Sequence, residues 1–251
     1  MTLSIQHQES YSRGELLLRT IFGAIYIFVP HVFLLAFVGI WAGILGFLAF
    51  WVVLFTGSYP QSWFEFQVKL MNWSMRFNAT IMHLVDGYPA FGVNGTSDKV
   101  SLTMSYPASI SRGLVIVRTL FGAIYVVLPH GVCLMFRMMA TGVLAILAWF
   151  SVLFTGNYPD RWHAFNVGTL RWGLRVQLYM TFLTDEYPKF TGKELEEEDA
   201  APVAEAKAPA ADDTAPARDD ASPATDDATP ASDDATPASD DAGSKEKPDG
   251  E

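Results

Sequence analysis

Two histidines are candidates for chemistry because each directly follows a proline inside a long apolar run. His31 and His130 lie 99 residues apart and have similar neighbours. A proline cannot donate a backbone hydrogen bond, so it leaves free the carbonyl four residues before it, here at Tyr26 and Tyr125. An ionisable side chain beside a free carbonyl in an apolar segment can mark a ligand or ion site. A neutral histidine bonded to a neighbouring carbonyl is the alternative interpretation.

The other residue types offer little for catalysis. Two histidines could ligate one haem, but no other haem motif accompanies them, so we expect no cofactor. The single cysteine, Cys133, lies in an apolar run, which predicts neither an internal disulfide nor a cysteine metal site. The sequence shows no clustered His/Cys/carboxylate set, nucleophile–base pair or phosphate-binding glycine loop. We therefore expect no metal and no enzymatic activity.

Two long apolar runs predict membrane spans. No charged residue occurs between Thr20 and Ser58, and one helix of that length would measure about 55 Å, nearly twice the ~30 Å of a bilayer's hydrocarbon. In the second run Arg137 is a lone charge, which we expect at an interface because a charge at mid-bilayer costs about 2.5–3.5 kcal/mol. We therefore predict a hairpin of two spans in each run. The predicted spans are 16–37, 40–56, 115–136 and 139–155.

The chain is an internal duplication. A shift of 99 residues aligns RTIFGAIY with RTLFGAIY, LFTGSYP with LFTGNYP, and DGYPAF with DEYPKF, without a gap. We expect membrane repeats at residues 1–92 and 101–193 with a linker at 93–100. Each repeat begins with a short alternating segment, which indicates a strand, and the two strands could pair. Apart from them the predicted fold class is an all-α integral membrane protein.

The LFTG-x-YP motif is predicted to form a structural corner at the end of each second span. Threonine bonds back to its helix, glycine ends it, tyrosine lies at headgroup level, and proline begins the next helix. These residues are Thr56, Gly57, Tyr59 and Pro60, and Thr155, Gly156, Tyr158 and Pro159.

A third helical segment in each repeat carries arginine and tryptophan at helical spacing. Its polar residues recur every three or four positions and so occupy one narrow face. We expect these amphipathic helices in the membrane interface, with arginine among lipid phosphates and tryptophan at headgroup depth, rather than spanning. The candidate lipid or partner contacts are Arg76, Arg171, Arg175, Trp73 and Trp172.

The basic residues predict one orientation for both repeats. Arg19 and Arg118 precede the same apolar motif, and positive flanks favour the cytoplasmic side. Both repeats are therefore expected to enter the membrane from the cytoplasm, where both termini also lie.

The C-terminal quarter has a different composition. Residues 1–193 carry a net charge of +5, whereas the Ala/Pro/Asp-rich segment 194–251 carries −15. Such a segment cannot bury enough apolar surface to fold, which predicts a disordered, solvated tail. A docking segment for a basic protein partner is the alternative, and we expect no nucleic-acid partner.

The doubled pattern resembles a bacterial membrane-protein family described as a domain of unknown function. The first repeat carries the resemblance in Leu54 to Pro60, Trp73, Arg76, Asp86 and Tyr88-Pro89. The second carries it in Leu153 to Pro159, Arg171-Trp172, Arg175, Thr184-Asp185 and Tyr187-Pro188. The resemblance implies a bacterial cytoplasmic membrane and brings no activity with it.

These observations favour a non-enzymatic, polytopic membrane accessory or scaffold protein. It would contact lipids and present its arginine helices and acidic tail to a protein partner, with oligomerisation left open. The alternative is a small transporter, channel or lipid-handling component that uses the pseudo-twofold interface between the repeats and the Pro-His kinks.

Overall fold

The computed structural model describes residues 1–194; the predicted tail, apart from Glu194, lies outside the described residues. The first repeat contains strand β1 (Thr2–Ile5), helix α1 (Arg13–Gly23), a π-helical turn (Ala24–Phe28), helix α2 (Val29–Thr56) and helix α3 (Gln61–Ile81). The second repeats this order with β2 (Val100–Thr103), α4 (Arg112–Gly122), a π-helical turn (Ala123–Val127), α5 (Leu128–Thr155) and α6 (Asp160–Met180). The mostly helical, duplicated fold is confirmed.

Each repeat contains one long helix instead of the predicted hairpin. The first long helix (α1, π turn and α2) extends over Arg13–Thr56, and the second (α4, π turn and α5) over Arg112–Thr155, each with 44 residues. Each is therefore about 66 Å long. The turns predicted at residues 37–40 and 136–139 are wrong, because both stretches are α-helical. Both helices are long and apolar enough to cross a membrane.

The residues that suggested a turn are all compatible with a helix. Gly39 is helical, and a glycine inside a helix costs only about 1 kcal/mol relative to alanine. Arg137 finds polar partners sideways, on α6: its Nε donates to Thr169 Oγ1 at 2.9 Å and its Nη2 to the Phe165 carbonyl at 3.0 Å. A charge with partners on a neighbouring helix needs no turn to reach polar surroundings.

One irregular turn interrupts each long helix. In the first, the Val29 N–H donates to the Ala24 carbonyl, five residues back, and Pro30, which has no N–H, follows directly. The second long helix has the same turn before Pro129. Single π turns and prolines are the usual causes of a helix bend. The Pro-His pairs therefore lie at the only irregular point of each long helix.

A two-stranded sheet joins the two repeats. Strands β1 and β2 pair antiparallel, with Leu3 opposite Leu102 and Ile5 opposite Val100. All four side chains are buried in the core together with residues of α3 and α6. The two strands indicated by the sequence therefore form and pair with each other, as the sequence analysis allowed.

The two repeats are arranged head to tail. The Tyr11 N–H donates to the Gly156 carbonyl, and the Ile110 N–H donates to the Gly57 carbonyl, both at 2.8 Å. Each bond joins the start of one long helix to the end of the other. The two long helices consequently run in opposite directions, which the sequence analysis did not foresee.

The two corners end the long helices in the same way. Gly57 and Gly156 have φ of 74° and 76°, a left-handed conformation that favours glycine. Thr56 Oγ1 donates to the Val52 carbonyl and Thr155 Oγ1 to the Ser151 carbonyl, each at 2.7 Å. Pro60 and Pro159 then directly precede α3 and α6.

The corner tyrosines are packed inside the protein. Tyr59 and Tyr158 are buried, and the arm that precedes the other repeat's long helix contacts each of them. The Tyr106 hydroxyl donates to the Tyr59 carbonyl, and His7 Nε2 donates to the Tyr158 carbonyl at 2.7 Å. The rings expected to contact the membrane interface are instead covered by protein, because the corner is the contact surface between the repeats.

The corner glycines provide a stability test. A Cβ at Gly57 would be strained by the positive φ and would lie 3.4 Å from Arg112 Nε, whereas one at the helical Gly43 meets nothing within 4 Å. We expect Gly57→Ala to lower the free energy of unfolding by about 1–2 kcal/mol. Gly43→Ala should leave it unchanged or raise it by about 0.5–1 kcal/mol. Thermal unfolding of the detergent-purified chain measures both, and equal effects would contradict this role for the corner.

Candidate functional site

The candidate site of each repeat forms where the loop after the third helix folds back on the long helix. We call these loops the latches: residues 82–92 after α3 and 181–191 after α6. Each contains the motif Asp-x-Tyr-Pro-x-Phe, at Asp86 to Phe91 and at Asp185 to Phe190. Its aspartate, tyrosine and phenylalanine contact three successive positions along the same long helix.

The aspartate of each latch pairs with a buried arginine. Arg19 Nη2 donates to Asp86 Oδ1 at 2.5 Å, and its Nη1 donates to the carbonyls of Thr80 and Val85 at 3.1 and 2.8 Å. The other carboxylate oxygen accepts the Ser12 N–H at 2.6 Å. The Asp86 carboxylate thus binds both Arg19 and Ser12, the N-cap residue of the long helix.

The second latch repeats this arrangement. Arg118 pairs with Asp185, and its Nη1 donates to the Tyr179 and Thr184 carbonyls at 3.0 and 2.7 Å. Its guanidinium also lies 4.0 Å from the centre of the Tyr179 ring. Arg19 and Arg118, the arginines used to predict orientation, are therefore buried inside the protein and bind the latches.

The tyrosine of each latch binds the carbonyl that proline leaves free. The Tyr88 hydroxyl donates to the Tyr26 carbonyl at 3.2 Å, and the Tyr187 hydroxyl to the Tyr125 carbonyl at 3.0 Å. An unpaired carbonyl in apolar surroundings is costly. The latch tyrosine replaces the bond that proline cannot make, so these carbonyls are occupied by the protein itself.

The histidine of each repeat lies in an aromatic box closed by the latch. His31 accepts a hydrogen bond at Nδ1 from Trp73 Nε1 at 3.0 Å and stacks on Phe91 with ring centres 4.0 Å apart. His130 accepts from Trp172 at 2.9 Å and stacks on the second latch's phenylalanine at 3.8 Å. Both histidines are fully buried.

The box fixes the tautomer of each histidine. Because Nδ1 accepts the indole N–H, the ring proton is on Nε2; in the second repeat His130 Nε2 donates to the Tyr187 hydroxyl at 3.2 Å. Such a ring has no free nitrogen lone pair for an iron, so His31 and His130 do not fit a haem. Within residues 1–194 no group of three or more His, Cys, Asp or Glu side chains is placed to hold a metal ion.

The predicted interfacial arginines and tryptophans are internal. Arg76 and Arg175 are 1% and 5% exposed, and Trp73 and Trp172 are also buried. Arg76 Nη2 donates to the carbonyl of Gly92, the last residue of the first latch, at 2.8 Å. Their interfacial location was therefore predicted wrongly.

In the second repeat two arginines, Arg171 and Arg175, bind backbone carbonyls at the end of the latch and just after it. Arg175 donates to the carbonyls of Thr191 and Lys193 at 3.1 and 2.6 Å. Arg171 donates to the Gly192 carbonyl at 2.9 Å and to the Leu3 carbonyl at 3.0 Å. The polar stripe of the third helix is thus buried, because carbonyls in and after the latch accept hydrogen bonds from its arginines.

The structure brings together residues that the sequence analysis kept apart. His31 and Tyr26 were grouped as one candidate site and Trp73 as another, while Phe91 was assigned no role. They form one box because α3 runs back along the long helix and the latch then crosses it. The sequence signal for the box is that the Pro-His pair, the tryptophan and the Asp-x-Tyr-Pro-x-Phe motif recur with the same spacing in both repeats.

A cluster of titratable side chains occurs at the second corner only. His7 Nδ1 lies 3.2 Å from Asp160 Oδ1, the rings of His7 and His163 are 4.8 Å apart, and His163 Nε2 donates to the Leu84 carbonyl at 3.1 Å. Burial lowers the pKa of His163 to about 4. Burial also lowers the pKa of His83, at the end of α3, to about 4.

A model for the family described as "Domain of unknown function (DUF4389)" matches residues 13–92 and, a second time, residues 117–192. These two ranges contain both long helices' proline turns, both third helices and both latches. No curated protein and no solved structure matches the chain.

The latch tyrosine can be tested with a double-mutant cycle. Tyr88→Phe removes the donor to the Tyr26 carbonyl, and we expect a loss of about 1–2 kcal/mol in the free energy of unfolding. Pro30→Ala restores a backbone N–H for that carbonyl, so Tyr88→Phe should cost less in the Pro30→Ala background. Chemical unfolding in detergent measures the cycle, and strictly additive effects would refute the replacement of one bond by the other.

The buried histidines predict a pH dependence. Their pKa is about 4 when folded against an ordinary 6.5, so between these values the unfolded chain binds more protons and stability falls as pH falls. We expect a loss of about 1–2 kcal/mol per histidine by pH 5. The duplication supplies the replacements: Phe64 and Phe182 occupy the matching positions. His163→Phe with His83→Phe should flatten the unfolding midpoint between pH 6.5 and 5; an unchanged slope would contradict this.

Proposed function

We propose that the protein, which belongs to the DUF4389 family through both of its repeats, is a non-enzymatic membrane scaffold. Its two long helices are embedded in the lipid bilayer, and its latched third helices form a rigid body beside them. The membrane is the bacterial cytoplasmic membrane that the sequence resemblance implies.

The supporting observation is a continuous apolar stripe on each long helix. Large hydrophobic side chains are exposed at every third or fourth position, with exposed fractions of up to 73%. In the first helix they are Leu18, Phe22, Ile25, Val29, Phe33, Phe37, Ile40, Ile44, Leu48, Trp51 and Phe55. The matching positions 99 residues later are also large, apolar and exposed. A protein in water does not keep so much contiguous apolar surface.

The length of the stripe favours a particular placement. From Leu18 to Phe55 it extends over about 56 Å, whereas the hydrocarbon of a bilayer is only ~30 Å thick. A helix along the membrane normal would leave nearly half of the stripe in water. A helix close to the membrane plane buries all of it.

The head-to-tail arrangement supports the same placement. If the pseudo-twofold axis lies along the membrane normal, both long helices occupy one leaflet and both flanking arginines, Arg13 and Arg112, lie at one interface. This agrees with the positive flanks of the two repeats. Helices that crossed the membrane in opposite directions would put these identical flanks on opposite sides.

The scaffold role is supported by how the candidate chemical groups are used. His31, His130 and their aromatic neighbours are sealed in the boxes, and Arg76 and Arg175 bind carbonyls of the chain. These groups hold the latch and the third helix against the long helix, which favours a structural role for them over ion transport. A protein partner would contact the exposed polar part of α3, which includes Gln61, Glu65 and Lys69, or the acidic segment beyond residue 194.

A lipid-handling role is the second candidate, because the repeats enclose a cavity. A space of about 460 Å³ lies between α2, α3 and the end of α6, beside Gly39, Gly43 and Gly46. Gln67, whose Nε2 donates to the Ala42 carbonyl at 2.7 Å, lies in its wall. At the matching positions the second repeat has Met138 and Ala145 in place of two glycines.

Membrane embedding and orientation can be tested with cysteine variants. The only native thiol, Cys133, is exposed on the second long helix, and Cys133→Ala gives a thiol-free background. Glu9→Cys and Ser58→Cys then mark the two ends of the first long helix at exposed positions. We expect the protein to resist alkaline carbonate extraction and both cysteines to react with an impermeant maleimide from the same side of sealed vesicles.

Carbonate extraction tests membrane embedding, and maleimide labelling tests the orientation of the first long helix. Release by carbonate would exclude embedding. Labelling of Glu9→Cys and Ser58→Cys from opposite sides would keep embedding but replace the in-plane placement with a spanning helix. Native Cys133 in the unmodified chain serves as the control, since it should be protected until detergent is added.

A further inference from the structure

A cavity in the second repeat is lined by basic side chains that the first repeat does not have at the matching positions. It has a volume of about 430 Å³ and lies between α5, the first half of α6 and the residues that follow the second latch. Three cations line it, Arg137, Arg171 and Lys193, against a single carboxylate, Glu194, whose Oε2 is 3.5 Å from Arg171 Nη2. The cavity is therefore positively charged.

Arg137 is held in place at the cavity wall. Its Nε and Nη2 donate to Thr169 and to the Phe165 carbonyl, and its guanidinium lies 4.1 Å from the centre of the Phe165 ring. Nη1 makes no hydrogen bond to any residue in the range 1–194. A fixed guanidinium with a free donor is a prepared site for an anionic oxygen.

Two glycines make room for this guanidinium. A Cβ at Gly168 would approach Arg137 Nη2 to 2.8 Å, and a Cβ at Gly192 would approach it to 2.7 Å. The matching positions in the first repeat are Lys69 and Val93. The space around the arginine therefore depends on residues that differ between the repeats.

The first repeat shows that the fold does not require these charges. At the corresponding place it has an apolar cavity of about 470 Å³, lined by Val38, Trp41 and Val93 among others. Val38 corresponds to Arg137, and Asn72 and Asn94 correspond to Arg171 and Lys193. The same helices and latch are thus built without a cation at any of the three positions.

The surroundings of the basic cavity indicate the chemistry of its ligand. Phe136, Met138 and Met139 adjoin Arg137 on α5 and are 63–65% exposed. A cation beside exposed apolar side chains matches an amphiphile whose anionic head sits at the cation and whose chains follow the apolar surface. A free anion would have no use for this apolar surface.

We propose that this cavity binds the phosphate of an anionic phospholipid, with Arg137 as the principal contact and Lys193 as a second one. The acyl chains lie along the exposed stripe of α5. This rests on the proposed embedding of the long helices and adds to it a preferred lipid class and a single binding position.

The experiment compares lipids retained by the detergent-purified full chain after exchange into mixed phosphatidylglycerol and phosphatidylcholine, read by native mass spectrometry. Wild type should retain phosphatidylglycerol preferentially. Arg137→Val, which installs the residue of the first repeat, should reduce that preference about tenfold, the effect of losing one charge-assisted bond. Lys193→Gln should reduce it several-fold without altering the fold, because its side chain makes no hydrogen bond to a residue within 1–194. Lys69→Gln, an exposed cation outside the cavity, is the matched control.

Two further arms separate the alternatives. Inorganic phosphate that displaces phosphatidylglycerol at comparable concentration would overturn the lipid assignment and leave a site for free phosphate. Equal lipid retention by wild type, Arg137→Val and Lys193→Gln would overturn the site itself. Insertion into pure phosphatidylcholine vesicles is measured in parallel: the variants should insert like wild type, and loss of insertion by wild type would refute the proposed embedding, not the lipid preference.

Discussion

The ion pair between Arg19 and Asp86, repeated as Arg118 and Asp185, organises each repeat. The arginine is on the long helix and the aspartate on the latch, so their contact closes the latch over the Pro-His turn. A buried ion pair contributes little net stability, yet removing one partner costs about 3–5 kcal/mol because a charge is left unpaired. The position of the latch then lets its tyrosine reach the free carbonyl and its phenylalanine cover the histidine.

The latch also explains why the proline turn is tolerated. A long apolar helix that loses a backbone bond exposes a carbonyl where water is scarce. Tyr88 and Tyr187 supply the missing donor, and beside them Trp73 and Trp172 each donate a hydrogen bond to Nδ1 of the neighbouring histidine. The Pro-His pair, which resembles a chemical site in the sequence, is thus part of an arrangement that supplies a hydrogen-bond donor to the carbonyl freed by proline.

Comparison of the two repeats separates the features that both share from the residues that differ between them. Both repeats keep the ion pair, the tyrosine–carbonyl bond, the aromatic box and the corner glycine. They differ at the corners, where His7 and His163 meet at the second corner and Tyr106 and Phe64 occupy the matching positions at the first. They also differ at the basic cavity, where the matching residues of the first repeat are neutral. The shared features are structural, and the differences give the two halves of the protein different electrostatic character.

The sequence by itself determined the repeat, its 99-residue register, the helical class, the strand pair and the carbonyls freed by proline, because these follow from local patterns and backbone chemistry. It did not determine that Val38 and Gly39 continue a helix, since a glycine costs too little to decide between turn and helix. Only the tertiary structure decided that the arginine stripe faces inward, where latch carbonyls accept its bonds. It also decided that the repeats run head to tail, because the bonds of Tyr11 and Ile110 join residues far apart in the chain. Such contacts depend on which hydrogen-bond acceptors from distant parts of the chain lie close in space, and the spacing of residues in the sequence does not show this.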